Sequence, residues 1–308
     1  MTPAPGAPPR CSDAARDRHD PMFATAPPAA RYLLVEVPGP WGRSAPSDSR
    51  LDRYSSGRLA DRAARAGVRI LLVRRPGRHA QPRRDAARAW ALVDTRPGHA
   101  EVRWGVWRHE HELLEVDLTA ADRIPAHRQG PQHLALVCTQ GRHDLCCAVR
   151  GRPVALELAR TARLWDVWEC SHVGGDRFAA NLLLLPSGEM FGGLDPASAV
   201  TALEAFDAGR IDLVHHRGRV GRSPVAQAAI HHVATSTGLA DRDALGVVRV
   251  EGDDPHWQAE VTGRGGRWRV ELVTHWSEPE LLTCSAGGLE RARRFDLAAL
   301  TRIAAPRL

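Results

Sequence analysis

Apolar positions in this 308-residue chain fall in short runs broken by Pro, Gly and charge. The run "RYLLVEV", ended by Pro38 and Gly39, has the pattern of a buried strand. Residues 49–67, "SRLDRYSSGRLADRAARAG", repeat apolar positions at helical spacing and close on Gly67, a C-terminal cap signal. "VRILLVRR" predicts a second strand, "AWALVDT" and "AEVRWGVW" two more around an "RPGH" turn, and "HELLEVDL" (111–118) another. A similar series then begins again. "HLALVC" predicts a strand, "TQGRHDLCC" a loop, and "RPVALELARTA" a helix with Pro153 in its first turn. "LWDVWECS" predicts a strand, and "ANLLLLPSGEMFGGL" two strands about a "PSG" turn. "DPASAVTALEAFDAG" predicts a helix with Asp195 as N-cap and Pro196 in first position. Ser223 and Pro224 start a last helix, followed by the alternating strands "GVVRVEG", "WQAEVTG" and "GRWRVELVTHW".

This order predicts an α/β fold with α+β layers in four parts. Residues 1–30, rich in Pro and Ala, are expected to be a disordered tail. Residues 31–126 and 127–214 are expected to form tandem thioredoxin-like domains, the first degenerate and free of Cys. Residues 215–308 are expected to form a small α+β unit with no assigned chemistry.

Composition narrows the function classes. No apolar run approaches the ~20 residues needed to cross a bilayer, and the N-terminus lacks the pattern of a secretion signal. A cytoplasmic protein is expected, with no membrane partner and reduced thiols. All 42 basic residues are Arg, set against 36 acids, for a net charge of +6. The densest basic stretch, Arg74 to Arg88, reads as a loop and a helix start without interleaved aromatics. Such a patch suits an acidic protein partner better than nucleic acid, which is not expected to bind.

The chemistry concentrates in "CTQGRHDLCC" and "WECSHVGGDRF". Cys138 and Cys147 lie on either side of a loop that leads to a helix, whose N-terminus favours thiolate. Cys170 and His172, two apart at a strand end, point to one side. Gly174 and Gly175 let the chain turn tightly. Two loops with two soft donors each can close on one site. A disulfide conflicts with a reducing compartment, and adjacent Cys146 and Cys147 pair only with strain. A redox thiol would favour C-x-x-C, and structural zinc would favour shorter knuckles than this nine-residue step. An iron–sulfur cluster tolerates long spacing and an occasional His ligand. Cys11 and Cys284 read as structural or incidental. Asp144 and Arg142 read as loop braces, and His143, His215, His216, His231 and His232 as structural or surface residues.

Taken together, "CTQGRHDLCC", "GRPVA", "CSHVGGDRFAANLLLLPSG" and "GRVGRSPVAQAA" resemble the sucrase/ferredoxin-like family. The resemblance implies a thioredoxin-like ferredoxin domain with one [2Fe–2S] cluster. Within it, Cys138 matches the first family cysteine and Cys147 the cysteine of R-x-D-x-x-C; His172 matches the histidine of S-H-x-G-G. Relatives that carry H-x-G-G-H have a second histidine where this chain has Asp176. Cys170 is taken as the replacement ligand, with Cys146 and Asp176 in reserve, and Arg177 and Asn181 as residues that support the cofactor. The expected function is one-electron transfer to an unknown redox protein partner, with a cluster-based sensor or a module of an unidentified reductase as alternatives. An enzyme is not expected: no pair of carboxylates suited to glycoside hydrolysis is evident.

Overall fold

The structure, a computed structural model, describes residues 9–77, 86–119 and 130–303. The middle of the basic stretch, the helix start expected there, the boundary expected at 126 and the first eight residues lie outside them. The first half runs β1 (Arg31–Glu36), α2 (Arg53–Arg65), β2 (Arg69–Arg74), β3 (Arg88–Asp94) and β4 (Glu101–Trp107), preceded by a short helix α1 (Cys11–Asp17). Asp52 caps α2 by accepting from the Ser55 amide, and Gly67 ends it at φ 63°. The second half repeats the order with β5 (Leu134–Cys138), α3 (Leu145–Thr161), β6 (Asp166–Cys170), β7 (Leu182–Leu185), β8 (Glu189–Phe191) and α4 (Pro196–Asp207). In each half the first strand pairs parallel with the second and antiparallel with the third, and the fourth pairs antiparallel with the third.

The two halves share one sheet. β2 and β6 pair antiparallel, Val73 opposite Cys170 and Arg74 opposite Glu169, and with β9 (His216–Arg219) the order becomes β4-β3-β1-β2-β6-β5-β7-β8-β9. The ion pair Arg74–Glu169, 2.6 Å and mostly buried, crosses this seam, and Thr139 Oγ1 donates to the same carboxylate. The sheet is curled: Trp104 on β4 meets Trp168 on β6 with ring centroids 6.3 Å apart, although three strands lie between them. Leu34, Val73, Val93, Leu136, Cys138, Cys170 and Leu183 therefore enclose one apolar core between the halves. The opposite faces pack on α2 in the first half and on α3 and α4 in the second. The C-terminal unit lays α5 (Pro224–Thr237) on a four-stranded antiparallel sheet of β10 (Leu245–Asp253), β11 (His256–Gly263), β12 (Gly266–Trp276) and β13 (Arg293–Ile303).

Three expectations are corrected. The start of "HELLEVDL" falls in a short 3₁₀ turn, Glu110–Leu114, capped by His109 and Glu112, because the Glu112 side chain satisfies the amides of Arg108 and His109 that a strand would have to pair elsewhere. The second-half helix starts two turns before the expected point. Asp144 accepts from the Cys146 amide at 2.7 Å and caps it, so Pro153 lies inside the helix. The amide that Pro153 lacks would have bonded to the carbonyl of Val149, a residue on the exposed face of α3. Finally, residues 9–30 are ordered on the body. Cys11 and Ser12 are fully buried, Arg150 donates to Ser12 Oγ at 2.9 Å, and Arg16 donates to the carbonyls of Ala179 and Gly193. Composition favoured disorder; contacts with the second half outweigh it.

Candidate metal centre

Cys138 ends β5, and Cys147 lies in the first turn of α3. Both are 1% exposed. Their elements are pressed together at Gly151, where a Cβ would meet the Cys138 carbonyl oxygen at 2.1 Å. The other side of the site is the turn after β6. Gly174 and Gly175 take φ values of 98° and 76°, which L side chains rarely adopt, and so bring His172 back over a 3₁₀ turn at Asp176–Phe178. The turn is held by buried Arg217, whose Nη1 donates to Gly174 O and to Asn181 Oδ1, both at 2.8 Å, while Asn181 Nδ2 donates to Gly175 O. Burial pushes the Arg217 pKa down to about 9, with the neighbouring Arg177 guanidinium adding to the effect.

The structure brings Cys138, Cys147 and His172 together, with donor atoms within 4.8 Å of one another. Asp176 joins from below: its Oδ1 lies 3.0 Å from His172 Nδ1 and accepts from the Cys147 thiol at 3.2 Å. His143, read from sequence as a bystander, stacks on the His172 ring at 3.8 Å between centroids, and its Nε2 lies 3.6 Å from Asp176. Its position was not evident because "RHD" carries no local signal for a ring contact made across two loops. Cys170 is fully buried beside Cys138 in the strand register, but it is not among the gathered donors. Arg177 faces the other way, with Nε 3.4 Å from Asp20 and its guanidinium over the Phe178 ring. Asn181 braces the glycine turn. Cys146 points instead to a separate group with Cys11, Asp144 and Cys284.

The electrostatics are those of a proton shared among donors. The hydrogen bond from Cys147, opposed by burial and reinforced by His172, holds the Cys138 thiol well below its ordinary pKa. The same bond, together with burial, pushes Cys147 up. Burial alone would lower His172, but Asp176 and the Cys138 thiolate outweigh it and raise its pKa to about 9. Burial pushes Cys170 far up.

The first half of the chain braces this centre. The His172 amide donates to Gln140 Oε1 at 2.7 Å, Gln140 Nε2 donates to the Gly42 carbonyl, and Arg69 Nη2 donates to the His172 carbonyl at 2.9 Å. A groove of about 440 Å³, walled by Arg43, Ala63 and Arg69, opens onto the edges of His143 and His172.

A mixed α/β body whose curled sheet carries a buried thiol–imidazole centre at the ends of β5 and β6 defines the class of this protein. The family model described as sucrase/ferredoxin-like matches residues 22–217, more than half of the chain, and the chain belongs to that family. No curated protein and no solved structure matches the chain. Among the described residues no helix is long and apolar enough to cross a membrane.

Proposed function

We propose that this chain is a cytoplasmic electron carrier with one [2Fe–2S] cluster at Cys138, Cys147, His172 and a fourth donor, and that its two halves are tandem thioredoxin-like units, the second being the ferredoxin. The observation that carries the reading is the convergence of Cys138, Cys147 and His172 at one largely buried site within the residues that the family model matches. The donor chemistry fits: two sulfurs, one already favoured as thiolate, face an imidazole whose Nδ1 is buried without a well-aligned hydrogen bond. Such a cluster, when bound, accepts and returns one electron.

The chain's own residues do the rest. Cys138 and Cys147 are carried by a strand end and a helix start, which fix their separation. Gln140 and Arg69 hold the His172 backbone and so orient its ring. His143 covers one face of that ring and limits water access to it. His172 is the donor of the set that reaches the surface, with a side chain 24% exposed at the groove. Arg43 and Arg69 on the groove walls suit a redox partner with an acidic face.

Protein purified without oxygen should be brown, with about two irons and two acid-labile sulfides per chain. Colourless protein holding zinc that Cys147→Ser removes would overturn this reading.

A further inference from the structure

A second group of thiols lies on the other side of α3's first turn. Cys11 from α1, Cys146 from α3 and Cys284 from the turn before β13 converge with Asp144, all donor atoms within 4.8 Å of one another. The Cys11 and Cys146 sulfurs are 3.6 Å apart, those of Cys146 and Cys284 are 3.5 Å apart, and Cys11 Sγ is 3.5 Å from Asp144 Oδ2. These residues are separated by up to 273 positions in sequence. None of this is required by the centre at Cys138, Cys147 and His172. Cys11 and Cys284 also lie outside residues 22–217, where the family match falls.

We propose that Cys11, Cys146, Cys284 and Asp144 form a mononuclear site for a thiophilic divalent cation, zinc, that fastens α1 and the turn before β13 to the metal-centre helix. The distances carry the argument. Tetrahedral zinc with Zn–S near ~2.3 Å and Zn–O near ~2.1 Å needs sulfurs about 3.8 Å apart and sulfur–oxygen separations of about 3.6 Å. The observed separations lie within a few tenths of an ångström of that geometry before any ion is bound. The donors are also fixed. Asp144 accepts from the Cys146 amide on Oδ1, and from the Cys284 amide at 2.6 Å and the Thr283 hydroxyl at 2.8 Å on Oδ2. Such outer contacts orient a ligating carboxylate. Cys11 and Cys146 are fully buried, whereas Cys284 is exposed, which leaves the ion a path in from solvent. The 17-residue α3 begins at the group and gives its Cys146 amide to Asp144, and the positive end of its dipole offsets part of the thiolate charge. A disulfide answers the geometry less well, because three thiols gathered at one point leave one unpaired.

Binding releases the thiol protons, and no electron changes hands. Its structural effect is to tie α1 and the 284 turn to the helix turn that carries Cys147, one residue from Cys146.

The test uses full-length protein expressed with added zinc, with metals counted per chain before and after dialysis against a chelator. The expected result is about one zinc retained, lost in Cys284→Ser and in Cys11→Ser while iron content is unchanged, and retained in a Cys138→Ser/Cys147→Ser variant. Cys284→Ser changes an exposed turn residue, so it is the variant that folding is least able to obscure. Cobalt(II) added to zinc-stripped protein should give thiolate-to-metal absorption that Cys284→Ser abolishes. Zinc retained in Cys284→Ser, or zinc lost only with Cys138 and Cys147, overturns the proposal. Alkylation without reductant that finds two of the three thiols joined as a disulfide overturns it as well. Because the readout is zinc that depends on Cys284, it stands or falls separately from the iron–sulfur reading.

Discussion

Asp176 and Cys170 contend for one role, and their surroundings separate them. Cys170 sits in the apolar core with its thiol pushed up by burial, so a thiolate there is costly. Asp176 stays ionised, because His172 and the Cys147 thiol outweigh its burial, and it already touches two of the three gathered donors. The expected outcome is that Asp176→Ala lowers iron content and alters the visible spectrum, whereas Cys170→Ser leaves both intact. Iron analysis and absorption of the two proteins, prepared side by side without oxygen, check this; the opposite pattern restores Cys170 as the fourth ligand.

Among the elements, α3 matters most, because it places Cys146 and Cys147 on opposite business with adjacent positions. Its early start depends on Asp144, and its approach to β5 depends on Gly151. An alanine usually stabilises a helix interior by about 1 kcal/mol relative to glycine. Here a methyl group would press on the Cys138 carbonyl, backbone that cannot swing aside. Gly151→Ala should therefore destabilise by about 1–3 kcal/mol, as overpacking does, and should weaken iron retention by displacing Cys138. Denaturant midpoints and iron content measured together would show both effects; a stabilised variant would mean that the β5–α3 contact is loose.

Over the whole molecule the N-terminal segment acts as a strap. Arg217 donates to Thr25 through Nε and Nη2, Gln227 bonds both the amide and the carbonyl of Ala26, and the Phe23 ring stacks on His231 at 4.2 Å. Burial lowers the His231 pKa to about 4, and its Nδ1 is buried without a partner. The unfolded chain binds that proton near pH ~6.5, so it holds more protons than the native state between the two values. Stability is then fully present above about 6.5 and falls as pH drops toward about 4. His231→Phe keeps the stack and removes the titration. Its unfolding free energy should decline less over this range than that of the native chain, with His232, which is also depressed by burial, supplying the remainder. Parallel slopes in denaturant titrations at several pH values would remove His231 from this role.

Much was determined by sequence alone, for a local reason. Strand and helix periods, the caps at Asp195 and Ser223, and the glycine turn at 174–175 depend on neighbours a few residues away. So does the spacing of Cys138 with Cys147, whereas the pairing of Cys170 with His172 read from the strand end does not appear among the gathered donors, where Asp176 lies against His172 instead. Tertiary structure decided the rest. Val73 opposite Cys170 makes two expected units share a sheet. His143 gains its place only because two loops fold over each other, and Cys11 and Cys284 looked incidental because each is solitary in its own segment. Local propensity records the conformation of a segment and carries no information about which distant segment it will meet. Contacts such as Cys11 with Cys284 exist only after burial of the curled sheet and of α1 has fixed the path of the whole chain.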